Sequence, residues 1–520
     1  MADQATVTRA LMVPALVTAF VLVMVWLVQW MGISGFYAIP FAIVLTFLWL
    51  NPHVMVVGLP GVFVSTALVP NLPGSMTAAQ ALCMLLGVWG LFHRPIARAA
   101  RDRWAVSDWG IFAFLGVCVL LMFTRGFGMR MLGGTKYGGF GYVILLGCGL
   151  AYLMAPMVRL NRKHVLAMAM LLAAGALIPF VVEISIILTG GRTSRLLSFF
   201  TILPEYTMAA MHIGEMVLAR ISSARTVGLA IIMAALMLPV RRPELRVARY
   251  ALVSGGLALV MLSGFRSAFL ITLMLLVGWY FQHSRHRAMA AVLVLGGFLA
   301  VWILAIILGR ALPGPIQRVV SYLPGVDVDP LVAANAEASV TWRLEIWKVA
   351  VRHIPEHLLL GRGIVTDVLP LAWLRREFYA TPEFYYEMKG YHSGPLSLLL
   401  DFGLPGFVAG SAFMIGMVAE GWRLYGRIRP AAEDVVTRFY SFLLWLTTAT
   451  VVSYYVLVGD VRASFPELTV YGIALRLVGR HLVSRHAAAV SREAAALSPA
   501  GWPQAAHAGA AAAPWAAAHP

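Results

Sequence analysis

Residues 250–282 read YALVSGGLALVMLSGFRSAFLITLMLLVGWYFQ. Two apolar runs, 250–264 and 267–282, are joined by almost no loop, and a single cation, Arg266, stands at the joint. Strands of a membrane barrel alternate polar and apolar positions, whereas a helix crosses a hydrocarbon core of roughly 30 Å with an unbroken apolar run. These runs do not alternate. In lipid a helix also satisfies its own backbone hydrogen bonds within one segment. The stretch therefore reads as a pair of membrane helices meeting at an arginine.

Working outward, similar runs fall at 10–31, 36–50, 53–70, 76–92, 105–123, 138–157, 165–189, 224–240, 289–309, 395–419, 439–458 and 466–479. The chain has 520 residues, 60% hydrophobic and only 12% charged, with a mean hydropathy of +0.82. A soluble domain carries roughly 25% charged residues, so lipid rather than water solvates most of this chain. The expectation is an all-α polytopic membrane protein with about fourteen (twelve to fourteen) transmembrane helices. The first run, Ala10 to Met31, is too long for a signal-peptide core and reads as a retained anchor.

The formal net charge is +17, yet nucleic-acid binding does not follow. Basic residues cluster in short loops, at Arg94–Arg103, Arg159–Lys163, Arg241–Arg249, Arg285–Arg287 and Arg423–Arg438. All of these land on one side if about fourteen spans alternate, as the positive-inside rule requires of cytoplasmic loops. Both termini are then cytoplasmic. Cys83, Cys118 and Cys148 lie singly in separate apolar runs and read as small core residues. The Ala- and Pro-rich tail from 486 to 520 reads as disordered.

One segment, 310–391, holds no apolar span and falls on the outer side. It contains an amphipathic stretch from Ala338 to His353, and a loop of this length in a compact protein is usually functional. Basic residues that depart from the positive-inside pattern also gather outside: Arg125, Arg130, Lys136, Arg192, Arg195, Arg220, Arg225, Arg266, Arg343, Arg352, Arg362, Arg375 and Arg376. Some are expected to be solvated or paired with carboxylates. The rest would suit an anionic ligand, because guanidinium pairs bidentately with phosphate. Arg266 reads either as a snorkelling or turn-capping group or as a site, since a charge near hydrocarbon is costly. Arg343 and Trp347, four apart, share a helix face, whether as an interfacial anchor or as a binding element. His392, at the entry to a span, reads as a cap or as a base. His353-Ile354-Pro355-Glu356-His357 matches an inverted zinc-protease pattern, but Pro355 disfavours the helix that would align both histidines.

Taken together, these pieces resemble the O-antigen ligase and O-antigen polymerase family of bacterial envelope glycosyltransferases. The resemblance rests on a small-Arg-small element (Gly264 to Ala268), Arg-x-x-x-Trp (Arg343 to Trp347), Pro355 and Gly-x-Gly (Gly361 to Gly363). It closes on His392, Asp401 and Gly-x-x-Gly (Gly403 to Gly406), and covers residues 250–410. Ser393 stands where Asn is usual, and Phe265 where a serine commonly precedes the arginine.

The resemblance implies a GT-C-like membrane glycosyltransferase of the bacterial inner membrane, its active site facing the periplasm under a large periplasmic loop. The donor would be a glycan on undecaprenyl pyrophosphate and the acceptor a glycan or lipid A–core, with other polysaccharide assembly proteins as partners. Transfer would be inverting, without metal or cofactor. Arg266 and Arg343 would hold the pyrophosphate, and His392 would position or deprotonate the acceptor hydroxyl, or assist the leaving phosphate. Arg125, Arg130, Arg220, Arg225, Trp347 and Arg362 are further substrate-binding candidates. The organisation expected is an N-terminal bundle (1–249), a catalytic region (250–420), C-terminal helices (421–485) and the tail. The main competing reading is a transporter or flippase of lipid-linked oligosaccharide, and a structural scaffold of an export complex comes third.

Overall fold

The computed structural model describes residues 43–68, 76–93, 105–128, 138–189, 220–238, 242–284, 286–366, 381–428 and 434–497. In chain order its helices are α1 (Ile43–Leu50), α2 (Pro52–Val64), α3 (Ala78–His93), α4 (Val106–Arg125), α5 (Phe140–Met154) and α6 (Arg162–Leu188). There follow α7 (Ala224–Met237), α8 (Pro243–Leu262), α9 (Arg266–His283), α10 (Arg287–Leu308), α11 (Gly314–Val320) and α12 (Pro330–Arg352). The last are α13 (Ile354–His357), α14 (Pro382–Glu387), α15 (Gly394–Ile428), α16 (Val435–Val456) and α17 (Val461–Leu497). Among the described residues there is no strand, only an isolated bridge between Leu68 and Thr77.

Seven of the described helices are long and apolar enough to cross a membrane, or eight if the bent pair α1 and α2 is one span. The sequence reading gave that pair as two separate spans, 36–50 and 53–70. Instead the chain bends by 112° between them. The cause is local: Asn51 leaves the helix and Pro52 opens the next one, where its missing N–H costs nothing. The helix α12 begins eight residues before the expected Ala338, because Asp329 caps it by accepting from Leu331 N at 2.8 Å and Pro330 occupies its first position. The tail assignment is also corrected in part. Helix α17 runs to Leu497, so residues 486–497 are helical; their Ala-rich composition favours a helix as readily as a coil. Ala10–Met31 lies outside the described residues.

Aromatic side chains join the centre of the bundle. Phe114 of α4 packs at 4.9 Å on both Phe402 of α15, tilted, and Phe465 of α17, stacked, and Phe413 closes on Phe465 at 5.4 Å. The rim is the reverse. Phe123, Leu188 and Ile307 are 85%, 80% and 72% exposed, and α8 and α10 bury little of themselves. Apolar exposure on this scale suits lipid and not water. All three cysteines are free and buried.

The two ends of the bundle differ in chemistry. At one end Asp434 pairs with Arg162 at 3.5 Å and Arg485 at 2.5 Å, while Arg438 and Arg249 both donate to the Leu238 carbonyl. Arg162, Arg249 and Arg438, each from a different basic cluster, thus gather at one end. At the other, segment 310–391 is fastened to the tips of α4, α5, α9 and α17. Arg125 reaches the Leu360 and Gly361 carbonyls, each at 3.0 Å, and Ile364 N donates to Tyr142 Oη at 3.1 Å. Arg266 reaches Ala336 O, and Arg462 reaches Met388 O.

Candidate functional site

The site is built on α12, which lies across the end of the bundle. Its first half receives a group of guanidiniums. The turn between α8 and α9 passes through Gly264 at φ +69°, and an added Cβ there would meet Arg220 Cδ at 3.1 Å. Arg266 then opens α9 with its guanidinium over the Tyr322 ring at 4.4 Å. Its Nη2 lies 3.4 Å from Ala336 O, which also accepts from Tyr322 Oη at 2.7 Å. One residue earlier, Asn335 Oδ1 accepts from Arg220 at 3.4 Å and from Arg318. Arg220 and Arg318 are 7% and 8% exposed, and Arg318 Nε is buried without a hydrogen-bond partner. Arg225 stands beside this group, 5.2 Å over the Phe265 ring.

The second half of α12 faces the histidine. Ala336 and Arg343 are seven residues apart, nearly two full turns, so they share a face about 10 Å apart along the axis. Trp342 packs its ring on Tyr385 at 4.4 Å and on His392 at 5.3 Å. Trp347 donates from Nε1 to Tyr391 O at 2.8 Å. Burial, and after it the charge of Arg343, hold the His392 imidazole below its ordinary value of 6.5, while Asp460 opposes them. Burial and Arg343 both favour the neutral ring, the form a base requires. His392 itself sits at φ +51°, in the left-handed region.

A third layer explains the glycine motifs. Helix α15 is broken at Gly403, which has φ +69°, and Pro405 lacks the N–H that would pair with Asp401 O. Leu404 N also leaves the helix pattern and donates to Leu358 O at 2.6 Å. The carbonyls of Leu400 and Asp401 are thereby freed, and Arg362 N and Gly363 N take them at 2.8 and 2.9 Å. The Gly-x-Gly segment is docked on the break in the Gly-x-x-Gly helix. Beside it Tyr391 Oη donates to Asp401 Oδ1 at 3.0 Å, and Lys389 Nζ stands 3.6 Å from the same oxygen while donating to Gly363 O. Lys389 and Asp401 are each 1% exposed. Burial pulls the Lys389 ammonium down to about 8, against the pull of Asp401.

The residues expected to form the site divide accordingly. Arg266, Arg220, Arg225, Arg343, Trp347 and His392 are all tied to α12 or to its immediate neighbours. Arg125 and Arg362 stand apart, with donors directed at protein groups. Arg125 holds two carbonyls, and Arg362 holds Tyr386 O at 3.2 Å, Glu387 at 2.6 Å and the Tyr386 ring face at 4.1 Å. Arg130 lies outside the described residues. Sequence reasoning missed Arg318, Asn335, Lys389 and Tyr391. None belongs to a spaced motif, and only the fold of the 310–391 segment brings them to the site.

Residues 251–409 match the family model described as O-antigen ligase. Comparison with curated proteins gives no match. The matched stretch includes Arg266, Arg318, Arg343 and His392 and both glycine motifs, and it bears out the resemblance drawn from those motifs. It does not reach Arg220, Arg225, Asp460 or Arg462.

Proposed function

We propose that this multi-pass membrane protein is a GT-C-like glycosyltransferase that moves a glycan from undecaprenyl pyrophosphate to an acceptor hydroxyl. The O-antigen ligase match over residues 251–409 supports the reaction class. The observation that carries the reading is the sharing of α12: Arg266, Arg220 and Arg318 meet at Asn335 and Ala336, and farther along the same helix come Arg343 and Trp342, whose ring packs on His392. An anion-binding group and a neutral imidazole at that spacing suit a sugar held between a diphosphate and an attacking hydroxyl.

In this mechanism the acceptor oxygen attacks the anomeric carbon as its C–O bond to the pyrophosphate breaks, inverting that centre. The bonding pair leaves on the pyrophosphate oxygen, and the fixed guanidiniums stabilise the growing charge without a metal. His392 takes the hydroxyl proton. Arg343, between the two groups, keeps the imidazole neutral and faces the leaving group. The acceptor is a glycan or lipid A–core. The basic end of the bundle suits the cytoplasm, which supports reading this site as lying on the periplasmic side of the inner membrane.

The test is transfer in vitro by the purified protein, with lipid-linked glycan, candidate acceptors and EDTA. Transfer that survives chelation and is lost in Arg343→Ala and His392→Ala is the expected result. Full activity in both variants would overturn the site. Movement of the lipid-linked glycan across liposomes without glycosidic bond formation would replace the enzyme by a transporter.

A further inference from the structure

We propose that Asp401 is a positioning residue that sets His392 through Tyr391 and Lys389. The inference rests on the reading of His392 as the base, and it assigns a role to a buried charge pair that the transfer step itself does not use.

The stretch 388–391 is tied on every side. Arg462 donates to Met388 O at 2.9 Å and to Lys389 O at 3.3 Å, and Trp347 donates to Tyr391 O at 2.8 Å. These bonds fix the backbone but leave its direction open. The direction comes from inside. Tyr391, fully buried, puts its hydroxyl on Asp401 at 3.0 Å, and Lys389 puts its ammonium within 3.6 Å of the same oxygen. Two side chains from alternate residues thus converge on one carboxylate.

That convergence bears on the backbone. Lys389 lies at φ +60° and His392 at φ +51°. Residues other than glycine hold such angles only where the surroundings over-determine them. With Lys389 and Tyr391 both drawn inward to Asp401, the positive-φ positions Lys389 and His392 are held in place, and the His392 ring packs on Trp342 at 5.3 Å. Asp401 is itself fixed, because its carbonyl, freed by the Gly403–Pro405 break, accepts from Gly363 N. The carboxylate therefore links the broken helix to the orientation of the imidazole.

The experiment uses the full-length protein purified in detergent or nanodiscs. Asp401→Asn and Tyr391→Phe are made alone, together, and each with His392→Ala. Transfer kinetics are read beside the rate at which diethyl pyrocarbonate modifies His392, followed by mass spectrometry. Each single variant is expected to lower kcat by about tenfold or more while donor KM moves by less than about twofold, since sub-ångström misplacement of a reacting group acts on kcat. The modification rate of His392 is expected to change in both. The double variant should be no worse than its worse member, and neither change should lower the residual rate of His392→Ala further. Unaltered modification in a folded Asp401→Asn or Tyr391→Phe protein would overturn the proposal, as would losses that multiply with that of His392→Ala. Should Asp401→Asn fail to fold, Tyr391→Phe, which removes one oxygen, decides alone. Should His392→Ala keep full activity, the catalytic reading fails, while the modification rates still decide whether Asp401 sets the ring.

Discussion

Trp347 and Tyr391, 44 positions apart in sequence, are joined by an indole N–H···O=C bond of 2.8 Å. The bond fixes the residue before His392 to the helix that bears Arg343. Trp347→Phe keeps most of the packing and removes only the donor. A typical intramolecular hydrogen bond contributes about 0.5–1.5 kcal/mol, so the thermal midpoint should fall only slightly. We expect kcat to fall several-fold more than that loss of stability accounts for. Parallel melting and transfer assays check this, and a kcat unchanged from wild type would remove Trp347 from the site.

How much of this was legible beforehand follows from what each signal measures. Hydropathy located the apolar helices because lipid imposes composition on every span. It failed at α1 and α2, where two apolar runs flank Asn51-Pro52 and neither run encodes the 112° bend. Arg266, Arg343 and His392 were legible because they lie in spaced motifs. Arg318 was not: it belongs to the seven-residue α11, and only the turn from α11 into α12 brings Asn335 to it. The glycine motifs could be read in sequence, but the reason for them could not, since it lies in a hydrogen-bond exchange between 358–363 and a broken helix.

Arg318→Met keeps the length of the buried stem and removes the charge. Hydrogen bonds to charged groups contribute about 1.5–3 kcal/mol, so the KM for the lipid-linked donor should rise roughly 10- to 100-fold. The acceptor KM should stay near wild type. Steady-state kinetics with each substrate varied in turn separate the two. Equal weakening toward both would mean that Arg318 only supports the fold.

The acid limb of the kcat–pH profile should lie below the ordinary histidine value of 6.5, because burial and Arg343 both disfavour the protonated ring. Above that limb the imidazole is neutral and transfer runs; as pH falls through it, the ring is protonated and the rate is lost. Asp460 acts in the opposite sense. Removing its charge in Asp460→Asn disfavours protonation further and should move the limb to lower pH. Arg343→Gln, measured on its residual activity, should move it up toward 6.5. A limb that ignores both changes belongs to another group.

Toward the basic end, Arg476 of α17 pairs with Asp108 of α4 through two bonds, one of 2.6 Å, and with Glu420 of α15 at 3.3 Å. All three side chains are less than a tenth exposed. Arg476→Met leaves two carboxylates buried without their cation, and breaking such a pair from one side costs about 3–5 kcal/mol. The expected result is a large fall in the melting temperature of the detergent-solubilised protein. Neutralising the acids as well, with Asp108→Asn and Glu420→Gln, should recover much of the loss.

The sharpest structural expectation concerns Gly361. A Cβ at this position would lie 2.3 Å from Asp401 O and 2.4 Å from Phe402 N, both backbone atoms of α15 that no rotamer change can move. Gly361→Ala must therefore lift the 358–363 segment off the break in that helix. The bonds of Arg362 N to Leu400 O and of Gly363 N to Asp401 O would be lost together, leaving two carbonyls unpaired. An unsatisfied buried polar group costs about 1–3 kcal/mol. Gly403→Ala acts on the same joint by a different route: φ +69° disfavours any side chain, and its Cβ would stand 2.8 Å from Gly361 N. Gly255, on α8, has nothing within 4 Å of its added Cβ, and Gly255→Ala should leave folding and transfer unchanged. Both motif variants should lose folded yield and activity together. If Gly361→Ala instead folds with full activity, the docking of the loop on the broken helix is not what positions the site.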